Sequence, residues 1–572
     1  MLNHYYEQEL NNLRTLAVEF GRRNPALAPL LGNAAAVDPD VERLLEGVAF
    51  LTGLVQQRLD DDFSEFTQTL AQLLYPHFLR PMPCMTVLRF QTHRDTNGTV
   101  RVPAGTGYAS IPVDGEKATF RSTIPVDIEP VSLLSAQWQR TGKTGSLVMN
   151  LRVNLHNPND WTGDSLRFWL GGSLAEACNL YRILRRNIIA IDIGEPGRSS
   201  TRLPLASLRA AGLDARHTLS PWPAGSHPAL SLLYDYFALP EKLLFIELNG
   251  FSSWTARQST DVEVRITLDA LPEWTPELTE SSLVLNATPA INLYRHEAHP
   301  IQLDHTQSTY RLHPITSNRT PRRIYAVDSV SGRDAGGKEI TYQPFSSMSP
   351  AVPSYHVQLK PSSNGDAHQD YYLSFPYNQR TDTEQSSVVS VRLLCTDGSR
   401  PDGLRLGEIG QSTDTSPASV SCSNIMGVTP YREPPADGAL LWRVLSHLNA
   451  NHITLANNEH LRDLLSLYLS WHRAGDLRQG ANQKQIDAIQ DIQSHHERRM
   501  GRGMAVEGTA ITVTCRGSYF SGPGSLFLFG EMLDEFFAGC ALINTFTALT
   551  LHDSDTGENL RWPAKIGRGR LL

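Results

Sequence analysis

Several short stretches carry residue types that catalysis or metal binding uses. Gly142-Lys143-Thr144 has the composition of the end of a phosphate-binding loop. Such a loop needs another glycine five residues before Gly142, so that backbone N–H groups can close around a phosphate, and Gln137 stands there. The stretch therefore reads as a turn between two strands. His296-Glu297-Ala298-His299 has the composition of a zinc-protease helix, whose histidines must be four apart to face one metal. Here they are three apart and Pro300 follows at once, so a loop is expected. His495-His496-Glu497-Arg498-Arg499 follows isoleucines at 486, 489 and 492, whose spacing predicts a helix with a basic last turn that suits the helix dipole. The carboxylates between Asp38 and Glu65 lack the positional pattern of a calcium loop and read as a cap and a solvated face. No Gly-x-Ser-x-Gly nucleophile elbow occurs. The six cysteines, at 84, 178, 395, 422, 515 and 540, form no Cys-x-x-Cys pair, which fits a reduced protein without structural zinc. No catalytic, cofactor-binding or metal-ligating residue is assigned.

The elements that would position any site are clearer. At 572 residues the chain exceeds one core, and three or four domains are expected. Hydrophobic content of 40%, charged content of 19% and a net charge of −8 suit a folded soluble protein. With no long basic run, nucleic acid is not an expected partner. Met1–Glu7 shows no basic segment leading into an apolar one, so no secretory signal is expected. The most apolar region, Leu230 to Leu248, is interrupted by Asp235, Pro240, Glu241, Lys242 and Glu247, short of the roughly 18 apolar residues of a membrane helix. A cytoplasmic location follows as an expectation.

The N-terminal helices have the strongest pattern. Leu2, Tyr6, Leu10, Leu13, Ala17 and Phe20 form one stripe. Asp38 is placed to cap a second helix, with Pro39 at its first position and Asp40 at the positive end of its dipole. Val41, Leu44, Leu45, Val48, Leu51, Val55 and Leu59 then recur at spacings of three and four. This helix is expected to stop in Asp60-Asp61-Asp62, with a third apolar run from Phe63 to Leu79. The prolines at 76, 81 and 83 predict a stiff, extended exit. From Thr86 the period changes to two, most clearly in Gly145–Leu155 at Leu147, Met149, Leu151, Val153 and Leu155 and again at Val262, Val264, Ile266 and Leu268. Leu174–Arg186 and Leu230–Phe237 read as helices. Short strands are expected at Tyr310–Leu312, Arg323–Val327, Ser354–Leu359, Tyr371–Phe375 and Val388–Leu394. Thr396–Pro435, rich in Ser, Thr, Gly and Pro, reads as a surface excursion. Helical stripes follow at Leu441, Leu445 and Leu448 and at Leu461, Leu464, Leu465 and Tyr468. Then come a strand at Ala510–Cys515, a helix from Glu531 to Ala538 closed by Gly539, and a strand at Asn544–Leu551. The class is multidomain α+β: an N-terminal helical segment at 1–85, a mixed β-rich domain at 86–275, a β-rich domain with long loops at 276–435, and a C-terminal α/β region at 436–572.

One set of stretches, taken in order, is specific. It begins with Tyr5-Tyr6-Glu7-Gln8-Glu9-Leu10, Leu13-Arg14, Glu19-Phe20 and Asp38–Phe50, and continues with Leu74-Tyr75-Pro76-His77 and Arg80-Pro81. It includes Pro103–Thr106, Phe120–Thr123, Leu166–Phe168, Tyr234–Lys242 and Asn286–Tyr294, and ends with Trp442-Arg443, Leu445–Leu448, Leu528–Gly530 and Asn544–Phe546. In these the chain resembles the TssF (VasA/ImpG) family, baseplate subunits of the bacterial type VI secretion system. The resemblance runs from the first residues to the last. Ala118 and Ala287 stand where many members have cysteine, and Thr396–Arg400 departs from a more usual run, in packing or loop positions.

The resemblance implies a non-enzymatic scaffold without cofactor or small-molecule substrate. It implies two copies of this chain with one TssG, joined to TssE and TssK trimers in wedges around the VgrG spike. The baseplate would dock on the membrane complex from the cytoplasm and prime sheath and tube assembly. Leu2, Tyr6, Leu10, Leu13, Val41, Leu44, Leu45 and Val48 are then the expected packing residues against TssG or the second copy. Two other readings stay open: a contractile phage-tail wedge protein outside a secretion system, and a hydrolase on a β-rich scaffold.

Overall fold

A computed structural model describes residues 2–23, 39–92, 98–141, 144–223, 226–255, 257–304, 306–316, 322–333, 339–345, 353–362, 369–376, 387–434, 457–471, 477–501 and 504–568. Among them the helices are α1 (Leu2–Arg23), α2 (Pro39–Leu74), α3 (Leu174–Arg186), α4 (Ala229–Ala238), α5 (Asn458–Leu467), α6 (Leu477–Asp487) and α7 (Pro523–Cys540). The described residues fall into two compact units, one of residues 2–73 and one that begins at Leu74. The Asp38 cap and the stripe at Leu441, Leu445 and Leu448 lie outside the described residues.

The first unit is helical. α2 opens on Pro39, with Asp40 and Glu42 in its first turn, as the dipole argument expects. It does not stop at Asp60-Asp61-Asp62. It runs for 36 residues, about 54 Å, and the expected second and third helices are one. Aspartate is only a modest helix former, but three in a row remove no backbone donor. Without proline, the i to i−4 ladder continues through them.

Among its described residues the second unit holds five larger sheets and one small strand pair. A six-stranded sheet gathers, in spatial order, Ile409–Ser412, Gly107–Val113, Glu116–Ser122, Ala287–Ile291, Met85–Thr92 and Val420–Asn424. Leu88, Phe90, Tyr108, Phe120, Ala290, Ile409 and Val420 form its buried cluster. Two strands of Thr396–Pro435 are thus inside this sheet rather than on a surface excursion. Short alternations such as Ile409 and Val420 are hidden among turn residues in the sequence. A five-stranded sheet is centred on Asp261–Leu268, which pairs Thr144–Val153 on one side and Ile188–Gly194 on the other. Leu147, Met149, Leu151 and Val153 are each 2% exposed or less, which stabilises the sheet by about 1.5–3 kcal/mol per side chain. Val131–Thr141 and Thr144–Val153 pair antiparallel up to Thr141 and Thr144, and the Gly142-Lys143 part of the expected turn lies outside the described residues.

The eight-stranded sheet contains Tyr294–Glu297, so His296 lies on a strand rather than in the expected loop. A last sheet holds Ile489–Gly501, Met504–Cys515 and Thr545–Asp553, the last two parallel. Parallel neighbours need a crossover, and α7 supplies it. Here the structure corrects the expected helix through Ile492. α6 ends at Asp487 and Ile489 opens a strand, so His495–Arg499 sits on an edge strand. The isoleucine spacing of three bridges a helix–strand junction. α7 also starts earlier than Glu531, at Pro523 in the first helical position, and Gly539 lies within it.

α7 crosses α3 at very close range. A Cβ on Gly524 would overlap the backbone of Cys178 and Asn179, and the Gly524 amide donates to Asn179 Oδ1 at 2.9 Å. Gly524→Val is expected to destabilise the second unit by about 3 kcal/mol, because neither backbone can yield. Gly480, in α6, has open space where its Cβ would stand, and Gly480→Ala should instead add about 0.5–1 kcal/mol. Urea midpoints of the two variants should move in opposite directions.

Two of the recognised stretches are polar knots in this unit. Asn292 makes all four side-chain hydrogen bonds it can. Its Nδ2 donates to Thr119 O at 2.9 Å and to Asp397 Oδ2 at 2.7 Å; its Oδ1 accepts from Thr396 Oγ1 and the Asp397 amide, both at 2.8 Å. Tyr294 donates to the other Asp397 oxygen at 2.7 Å. In the other stretch every residue of α4 is buried, and Lys242 Nζ meets Asp235 Oδ2 at 2.7 Å. The exit from α2 is a 3₁₀ turn, Pro76–Leu79, rather than an extended strap. It is fully buried: Phe78 stacks on Trp471 at 4.9 Å and His77 packs on Trp222 at 4.5 Å.

Candidate partner interface

The residues with catalytic composition do not converge. Among the described residues no group of three or more His, Cys, Asp or Glu side chains could hold a metal ion. His296 is engaged by Ile315 O and by Arg322, which donates to its ring. On the edge strand Arg498 pairs with Glu507, and Arg499 with Glu497 at 2.9 Å. All six cysteines are free. Burial pushes the Cys395, Cys422, Cys515 and Cys540 thiols up to about 12, which keeps them protonated and poor nucleophiles. Cys84 donates to Asp402 Oδ1 at 3.1 Å, and burial raises its thiol too.

What does converge is apolar surface on the helical unit. α1 and α2 meet where Arg14 Nε donates to Glu42 Oε1 at 3.0 Å. That pair is half-exposed and contributes little energy. The buried positions are Leu10, Ala49, Gly53 and Ala71; their mostly small side chains suit close backbone approach. Tyr6, Leu13 and Leu45 are half-buried. Leu44 is 69% exposed and Val48 45% exposed. The side chains of Leu2 and Val41 lie outside the description.

The expected packing residues therefore divide. Leu10 belongs to the helical unit's own interior, whereas Leu44 and Val48 face out. With Leu51 (63% exposed) they form a stripe at i, i+4 and i+7 along α2. Phe50 and Leu54, also exposed, lie beside it, and Leu16 adds a further exposed leucine on α1. The last three were not among the expected residues. Phe50 and Leu54 are themselves four apart, which was the available signal. A single exposed leucine is ordinary, but a run of large apolar side chains on one helix face marks an interaction surface. The chemistry this stripe offers is non-directional burial of apolar surface.

A family model described as type VI secretion system, TssF, matches residues 1–569. The Pseudomonas aeruginosa protein named type VI secretion system component TssF1 is 29% identical, over 98% of this chain and 98% of that protein. A chain in the cryo-electron microscopy structure of a type VI TssK-TssF-TssG baseplate subcomplex is 27% identical, with a TM-score of 0.79 over 93% of this chain and 99% of that one. A chain of a type VI baseplate complex is 23% identical with a TM-score of 0.60 over the full length of both, a likeness of fold alone.

Proposed function

The chain belongs to the TssF family of the type VI secretion system, and from that membership we propose that it is a non-enzymatic structural subunit of the baseplate. The observation that carries this is the full-length likeness to a chain held in a TssK-TssF-TssG baseplate subcomplex. Two copies of this chain pair with one TssG, and the assembly joins TssK and TssE around the VgrG spike, where it primes sheath and tube. The baseplate works at the cytoplasmic face of the membrane and reaches the membrane complex through other subunits. In support, no helix among the described residues is long and apolar enough to cross a membrane. The exposed α2 stripe is the contact through which this chain meets TssG or its second copy. A structural role also fits the scattered histidines and buried thiols.

The test is co-expression with TssG, then size-exclusion chromatography with mass determination. The expected result is a stable complex with two copies of this chain per TssG. A monodisperse monomer that ignores both TssG and TssK would overturn the reading.

A further inference from the structure

The second unit contains a cavity of about 520 Å³, within the range of small-ligand sites. Three arginines, Arg311, Arg322 and Arg323, line it, against only two carboxylates, Asp370 and Glu433. Arg311 holds Asp370 at 2.7 Å, while Arg323 stands 3.8 Å from Glu433. Among the described residues Arg322 meets no carboxylate. Its guanidinium lies 5.8 Å from the Tyr294 ring centre and donates to His296.

The backbone fixes the geometry. The His299 amide donates to His313 O at 2.9 Å and the Leu312 amide to Tyr371 O at 2.8 Å, which ties down the segment that follows Arg311, while Arg322 and Arg323 stand where the strand Arg323–Arg333 begins. His313 also lines it, and burial first, then the neighbouring Arg311, lowers its pKa. Leu79, Leu312 and Ile324 give the wall apolar patches beside the polar side chains of Thr316, Gln369 and Tyr431. The whole chain carries −8, so a cavity with an excess arginine is a local reversal of sign that selects anions. A guanidinium offers a planar fork, which matches a carboxylate in two parallel hydrogen bonds.

We propose that this cavity is a binding site for a carboxylate carried on an apolar neighbourhood, with Arg322 as the residue that takes the charge. That chemistry has two sources: an acidic side chain on a segment of a partner protein, or a free small dicarboxylate. The inference does not depend on the baseplate role.

Isothermal titration on the full chain tests it with four probes: the blocked peptide Ala-Leu-Glu-Leu-Ala, its Gln analogue, succinate and inorganic phosphate. The Glu peptide is expected to bind at least tenfold more tightly than the Gln peptide, and Arg322→Gln should remove that difference. Succinate binding without peptide binding, lost in the same variant, would assign the site to a free dicarboxylate and sustain the proposal. Binding of phosphate alone would overturn it, as would binding of any probe unaltered by Arg322→Gln, or no binding at all. Arg322→Lys, which keeps the charge and loses the fork, should bind at an intermediate level. An unchanged melting profile in both variants would confirm that they are folded.

Discussion

Aspartate at both Leu44 and Leu51 is expected to abolish assembly with TssG while leaving the chain itself folded. Both side chains are more than 60% exposed, so a charge there meets water in the free protein and should move stability by no more than about 0.5 kcal/mol. In the complex the same charges would be driven into an apolar interface without a partner. Each unpaired polar or charged group costs at least about 2 kcal/mol there, so the pair weakens binding by 100-fold or more. Co-purification and the size-exclusion mass are the readouts. Asp at Ala49, which is fully buried, is the contrast: it should unfold the helical unit rather than uncouple it. If Leu44→Asp/Leu51→Asp still forms a two-to-one complex, the stripe is not the contact.

The second large effect lies in the Tyr234–Lys242 stretch. Asp235 and Lys242 are an ion pair whose side chains are 2% and 1% exposed. Burial pushes the Asp235 carboxyl up and Lys242 pulls it back, so the lysine favours the charged form that burial disfavours. Lys242→Met strands that carboxyl and should cost about 3–5 kcal/mol, a large share of the 5–15 kcal/mol that holds a domain. The double variant Lys242→Met/Asp235→Leu should recover most of it, because two apolar side chains do not carry the desolvation cost of the pair. It should not recover all, since the Leu219 amide donates to Asp235 Oδ1 at 3.2 Å and would lose its acceptor. The measurement is the urea midpoint of the second unit in wild type, single and double variants. A single variant as stable as wild type would refute this account.

Legibility from sequence differed by element. Long periodic stretches were readable: α3, α5, Thr144–Val153 and Asp261–Leu268 stand where their apolar spacing predicts. Junctions were not. Ile486, Ile489 and Ile492 satisfy a helical spacing although the backbone changes type at residue 488, and Asp60–Asp62 looks like a stop although nothing there breaks the ladder. The exposed apolar stripe was half legible. Periodicity shows which side of α2 is apolar, but not that Leu45 turns inward while Leu44 and Leu51 stay uncovered. That depends on where α1 lies. The Asn286–Tyr294 and Tyr234–Lys242 stretches were recognisable as family features, but their roles, an amide with every bond made and a buried charge pair, appear only in three dimensions.

The six-stranded sheet also sets an order of events during synthesis. Met85–Thr92 is an inner strand whose two neighbours, Ala287–Ile291 and Val420–Asn424, emerge about 200 and 330 residues later. At typical bacterial elongation rates that is a wait on the order of tens of seconds. For that interval the strand has two bare edges, and the already finished α1–α2 helices present their leucines to the cytosol. Such distant pairings fold slowly, and open edges with apolar surface are prone to aggregate. The nascent chain thus has a window in which a chaperone, or a partner synthesised alongside it, decides its yield. Placing the genes for this chain and for the proposed partner TssG far apart should lower soluble protein more than any single substitution on the finished surface.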